Sequence, residues 1–139
     1  MQEQYPIKTA IENGTQYIYC GIRKRFLQAT PEEIIRQQTI QFLVEECCYP
    51  KGSINVEKAI TSGGKRIRYD IAVFYENEAW MIVECKQSNV ALNADTFFQS
   101  TAYYAVLKPK YILLNNGDQM VCYDTQQLKW LDELPRWGT

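Results

Sequence analysis

Two apolar runs separated by only three polar residues constrain this chain most. "RIRYDIAVFY" (66 to 75) and "AWMIVECKQ" (79 to 87) flank "ENE". Both are rich in β-branched and aromatic residues, and a polar turn between such runs predicts an antiparallel hairpin. The second run holds an anomaly: "MIVECKQS" starts as a buried strand and then places Glu84, Cys85 and Lys86 where apolar residues should continue. If Glu76, Asn77 and Glu78 form a three-residue loop, Tyr75 pairs with Ala79 and Asp70 lies opposite Glu84. Residues so opposed have β-carbons about 4.5 to 5.5 Å apart. Lys86, two residues beyond Glu84, shares its face, while Met81, Val83 and Cys85 fill the other. A loop one residue shorter or longer breaks this parity and sets Asp70 opposite Cys85.

Two close, half-buried carboxylates repel unless a cation or a proton sits between them. The chain has no histidine, and its five cysteines (Cys20, Cys47, Cys48, Cys85, Cys122) form no C-x-x-C pair. This argues against a zinc site and a disulfide framework and excludes histidine-based mechanisms. With hard oxygen donors only, the natural cation is Mg²⁺ or Mn²⁺. Beside a lysine, such a metal can polarise a phosphoryl oxygen and lower the pKa of a bound water, while the lysine orients the water or stabilises charge on the phosphate. An ordinary cross-strand acid pair relieved by Lys86 or Arg68 accounts for the same spacing. Spacing alone leaves both readings open.

The rest of the chain supplies a frame for the hairpin. With 139 residues, 46% of them hydrophobic, it is long enough for one compact domain and too short for two ordinary ones. "TPEE" offers Thr30 as N-cap, Pro31 at the first helical position and Glu33 at the third, opening a helix to about Cys48. Ile40, Leu43, Val44 and Cys47 share one stripe of that helix, and Glu33 lies close to its centre, facing inward. "SINVEKAI" (53 to 60) reads as a strand before the hairpin, with "TSGGK" as the turn between them. A second helix is expected from about Asn93 to Leu107, stopped by Pro109, followed by strands "KYILL" and "QMVCYD" around the turn "NNGD". In the first 29 residues only "TQYIYCGI" carries a strand signal, so this part is read as an N-terminal extension to a core over 30 to 123. The fold class expected is α/β: a central mixed sheet flanked by helices, in the order α-β-β-β-α-β.

No apolar run approaches the roughly 20 residues that cross a bilayer, and "MQEQYPIK" lacks the build of a signal peptide, so a cytoplasmic protein without membrane contact is expected. The net charge of −1 gives no bulk attraction for nucleic acid, although basic residues cluster at Arg23, Lys24 and Arg25 and at Lys65, Arg66 and Arg68.

Asp70 followed by Glu84-Cys85-Lys86 resembles the PD-(D/E)xK nuclease signature, with Tyr69 in place of its proline. The likeness extends through "TPEEIIRQQTIQFLVEECCYP", "INVEKAI", "RYDIAVF", "IVECK", "QSTAYYAVL" and "YILLNNG", which in order and spacing resemble the N-terminal nuclease domain of type I restriction enzyme R subunits over roughly residues 30 to 123. The resemblance implies a restriction-endonuclease-like core and Mg²⁺- or Mn²⁺-dependent hydrolysis of DNA phosphodiesters. It implies Asp70 and Glu84 as metal ligands with the Cys85 backbone carbonyl, Lys86 as the catalytic lysine, and Gln99 and Tyr103 as the Q-x-x-x-Y pair on one helical face. Glu33 matches the N-terminal helix acid of many such nucleases, although a capping box also explains an acid there. R subunits continue into a helicase motor that these residues lack, so a small stand-alone relative or an excised domain is expected. A second copy or a partner chain would then supply further DNA contacts, since phosphate neutralisation dominates duplex affinity. The alternative is a DNA-binding or assembly module of the same fold with little or no cleavage.

Overall fold

The computed structural model describes residues 2–62, 64–86, 91–93 and 107–139. Three short strands come first: β1 (Thr9–Glu12), β2 (Thr15–Cys20) and β3 (Arg25–Gln28), joined as an antiparallel sheet in that order. The helix α1 (Pro31–Gln41) follows, then a π-helical turn over Phe42–Glu46 and a short 3₁₀ turn over Lys51–Ser53. Six further strands, β4 (Ile54–Ser62), β5 (Lys65–Tyr75), β6 (Glu78–Cys85), β7 (Tyr111–Asn115), β8 (Met120–Asp124) and β9 (Lys129–Leu131), form one sheet in sequence order. All neighbours in it are antiparallel except β6 and β7, which run parallel. The protein is therefore α/β with a mixed sheet, as the alternation of runs predicts. Two elements were not anticipated: β9, and a complete sheet where one strand was expected. The helix expected over 93 to 107 lies almost wholly outside the described residues.

The expected hairpin loop is corrected. Tyr75 pairs with Glu78, not Ala79, so the turn has two central residues, Glu76 and Asn77. Both have positive φ (50° and 66°), as the type I′ turn that suits a twisted hairpin requires. A shorter loop should have broken the parity. It does not, because Phe74 pairs with Ala79 while Val73 pairs with Met81, leaving Trp80 as the extra residue of a β-bulge. Trp80 is thereby free to pack edge-to-face on Tyr49 and Tyr111, with ring centroids 5.4 and 5.1 Å away. Beyond the bulge Ala72 faces Ile82 and Ile71 faces Val83, and continuation of that register sets Asp70 across from Glu84.

α1 covers one face of the large sheet. Its Ile35 and Ile40, with Leu43 and Val44 of the π turn, pack on Ile71, Val73, Met81, Val83, Cys85, Leu113 and Cys122. Tyr69, Ala72, Ala79 and Ile82 form a smaller cluster with Phe74 and Leu107. β6 from Ala79 to Val83 and all of β7 are buried, as strands flanking a parallel pair usually are. A continuous α-helix to about Cys48 is expected, but α1 stops at Gln41 and the helical path is completed by the π turn to Glu46. The Cys47 N–H bonds to the Phe42 carbonyl (3.1 Å), and Cys48 takes φ 58°.

The N-terminal segment is pinned to α1 by Tyr5, which is 2% exposed. Its hydroxyl donates to Gln37 Oε1 (2.6 Å) and accepts from the Gly21 N–H (2.9 Å). Its own N–H donates to Glu45 (2.7 Å), and Gln41 donates to its carbonyl (3.1 Å). A β-carbon at Gly21 would sit 2.9 Å from the Tyr5 ring, so only glycine allows this approach. Tyr5→Phe strands the buried Gln37 side chain and the half-buried Gly21 N–H and should cost about 1–3 kcal/mol, read as a lower urea midpoint at unchanged slope. An unchanged midpoint would mean that the N-terminal segment is not docked this way.

Four of the five thiols are buried or half-buried and Cys48 is exposed. Burial pushes Cys47 to about 11 and Cys122 to about 12. A thiol reagent at mildly alkaline pH should therefore modify Cys48 first. Labelling of Cys85 or Cys122 in the folded protein, located by peptide mass spectrometry, would contradict the packing.

Candidate active site

Asp70 sits where β5 and β6 part. Their ladder reaches Ile71 and Val83, and the Cys85 N–H then donates to Asp70 Oδ2 at 2.8 Å. On its other side Cys85 aligns with Asn115 of β7, whose carbonyl accepts the Lys86 N–H (2.8 Å). The Asn115 side chain donates to Thr39 of α1 (2.6 Å) and accepts from the Gly117 N–H (2.9 Å). Thr39 in turn donates to the Ile35 carbonyl (2.6 Å). The end of β6 is thus held on the β5 side by the Asp70 side chain, which replaces a continuing ladder, and on the β7 side by main-chain pairing with Asn115. Burial, reinforced by Asp70, raises the Cys85 thiol well above its ordinary value, so this residue offers its main chain rather than a thiolate.

Glu84 and Lys86 follow from strand alternation. Lys86 Nζ lies 3.2 Å from Glu84 Oε1, and their side chains are 27% and 13% exposed, a half-buried pair at a sheet end. Asp70, at 14%, is comparably placed. The sequence-predicted acids and lysine are therefore brought to one end of the β5–β6 pair. Among the described residues no group of three or more His, Cys, Asp or Glu side chains converges as a metal cage. Gln99 and Tyr103 lie outside the described residues.

Glu33 is 6% exposed and faces inward from the first turn of α1, as its helical position predicts. Only half of the capping box forms: Thr30 Oγ1 accepts the Glu33 N–H (3.1 Å), but the Glu33 carboxylate turns to other donors. Arg23 Nη2 reaches both its oxygens (2.8 and 2.7 Å), Arg36 Nη1 donates to Oε1 (2.7 Å) and Gln37 Nε2 to Oε2 (3.1 Å). A carboxylate has about four lone-pair sites, and these four bonds use them.

Arg36 is the residue that sequence reasoning missed. It is 5% exposed, and its second terminal nitrogen, Nη2, donates to Asp70 Oδ1 at 3.0 Å and to Glu32 at 3.4 Å. Burial opposes its charge, but Glu33 and Asp70 outweigh that and raise its pKa above the ordinary guanidinium value. Its signal was available: an arginine three residues after an inward-facing Glu33 shares that face of the helix. Arg23, the first residue of the basic run at 23 to 25, is diverted inward. Its N–H and Nε donate to Cys20 Sγ at 3.3 and 3.4 Å. Burial alone would raise the Cys20 thiol, but the hydrogen bonds from Arg23 and Gln37 outweigh it and hold the thiol below its usual value. Lys24, Arg25, Arg66 and Arg68 remain exposed. A depression elsewhere, lined by Pro50, Asn55, Phe74, Asn77 and Trp137, lies at the turn end of the hairpin, away from these groups.

No helix among the described residues is long and apolar enough to cross a membrane. Comparison with curated proteins and comparison with solved structures each return no match. A family model described as "Type I restriction enzyme R protein N terminus (HSDR_N)" matches residues 31–135. That span contains α1, the whole large sheet and every acid and lysine of the cluster around Asp70. The matched span takes in most of the chain, and the chain belongs to the family of type I restriction enzyme R protein N termini.

Proposed function

We propose that this chain is a metal-dependent deoxyribonuclease with a restriction-endonuclease-like core, hydrolysing DNA phosphodiester bonds. The observation that carries the reading is the meeting of Asp70, Glu84 and Lys86 where β5 and β6 part. The donor set fits Mg²⁺ or Mn²⁺. Asp70 accepts one hydrogen bond on each oxygen, which leaves lone-pair capacity on both. Glu84 and the Cys85 main-chain carbonyl complete a set of hard oxygen donors. When bound, such a cation supplies a Lewis acid for a phosphoryl oxygen and lowers the pKa of a coordinated water.

The chain's own groups do the rest. Lys86 is held by Glu84 at the sheet end, where its ammonium can orient an attacking water in line with the scissile bond and offset charge growing on the phosphate. Gln99 and Tyr103 are assigned to the same site by family resemblance, and Glu33 takes part through Arg36. Exposed Lys24, Arg25, Arg66 and Arg68 supply candidate phosphate contacts. With a net charge of −1, further contacts come from a second copy or a partner chain.

One observation favours a second reading. Arg36 and Lys86 already pair with Asp70 and Glu84, as expected of a DNA-binding or assembly module that retains the fold and cleaves little. Plasmid digestion separates the two. Under the nuclease reading, Mg²⁺ or Mn²⁺ supports nicking that a chelator abolishes, and Glu84→Ala or Lys86→Ala lowers the rate by about 10²-fold or more. Either variant cutting at the parental rate, with circular dichroism unchanged, would remove the assignment.

A further inference from the structure

We infer that Arg36 is a positioning residue for Asp70, and that Glu33 and Arg23 hold it in place, so that the N-terminal sheet is part of the site's machinery. The inference rests on the metal-dependent reading proposed above. A guanidinium is a planar fork, and this one is used as such. Nη1 bonds Glu33 (2.7 Å) and Nη2 bonds Asp70 (3.0 Å), so a single rigid plane ties a helix carboxylate to a strand carboxylate. The other Asp70 oxygen is held by the Cys85 N–H. Fixed at both oxygens, the Asp70 carboxylate has one orientation, and its remaining lone pairs have fixed directions.

The fork itself cannot turn, because Glu33 is gripped from behind. Arg23 bonds both Glu33 oxygens, and Gln37 bonds one of them while accepting the Tyr5 hydroxyl. Arg23 lies between β2 and β3, and Tyr5 precedes β1. A continuous set of hydrogen bonds therefore runs from Tyr5 through Gln37 to Glu33, which Arg23 also grips, and on through Arg36 to Asp70 and the Cys85 main chain. Groups that orient metal-ligating carboxylates typically matter about 10–100-fold in affinity or activity.

The test uses Arg36→Lys, which keeps the charge but cannot fork between two carboxylates. Glu33→Gln, close in shape, is a second variant that loosens the fork from behind. Amide hydrogen exchange by NMR, without metal, should show lost protection at Cys85 in Arg36→Lys while Met81 and Val83 keep theirs. Calorimetry with Mn²⁺ should show affinity weakened about 10–100-fold in the same protein, and by less in Glu33→Gln. A folded Arg36→Lys variant with wild-type protection at Cys85 and wild-type Mn²⁺ affinity overturns the inference and leaves the nuclease reading standing. Wild-type protein that binds no Mn²⁺ overturns that reading and the inference with it.

Discussion

Everything near the site depends on one hydrogen bond, from the Cys85 N–H to the Asp70 carboxylate. A strand that parts from its neighbour exposes main-chain donors, and an unpaired buried donor is costly. Here a side chain of the departing strand closes the gap, so β5 and β6 can separate without leaving the Cys85 amide unsatisfied. That separation gives Glu84 and Lys86 partial access to solvent at the end of an otherwise buried strand. The acid has a structural duty and a chemical opportunity at the same atoms.

Parity at this point survived an incorrect premise, and the reason is physical. The turn was expected from the polar run "ENE", but polarity does not distinguish a two-residue turn from a three-residue one. Positive φ at Glu76 and Asn77 satisfies the hairpin twist with two residues, so Glu78 enters the strand. Trp80 then restores the count as the extra residue of the bulge, its ring packed edge-to-face on Tyr49 and Tyr111. The bulge follows from partners distant in sequence, which a local pattern cannot display. β9 and the N-terminal sheet escaped notice for a related reason. "KWL" is too short for periodicity to show, and all of β1 is exposed, leaving no alternation of buried and exposed residues to read.

The candidate site was legible to the extent that it is local. Glu84 and Lys86 are two residues apart on one strand, and Asp70 is one hairpin away. α1 was equally legible, since Thr30, Pro31 and the stripe of Ile40, Leu43 and Val44 act within a few turns. Arg36 and Arg23 were not read as site residues because an arginine on a helix or in a basic run is ordinarily solvated. Only the packing of α1 against β5, and of Tyr5 against α1, turns those charges inward.

A buried Arg–Glu–Arg set is a poor way to gain stability, because desolvating such charges often offsets their attraction. Its cost is lowest where its members are satisfied, and the Glu33 carboxylate, with four accepted bonds, is. Apolar residues of similar volume at these positions would hold α1 to the N-terminal sheet at least as well. They could not hold Asp70, whose half-buried charge needs a donor that reaches it from the helix side. The expense of burying Arg23 and Glu33 is therefore explained by Arg36, and the burial of Arg36 by the carboxylate at its far end. Stability accounts for the helix–sheet contact; it does not account for the charges within it, and the geometry at Asp70 does.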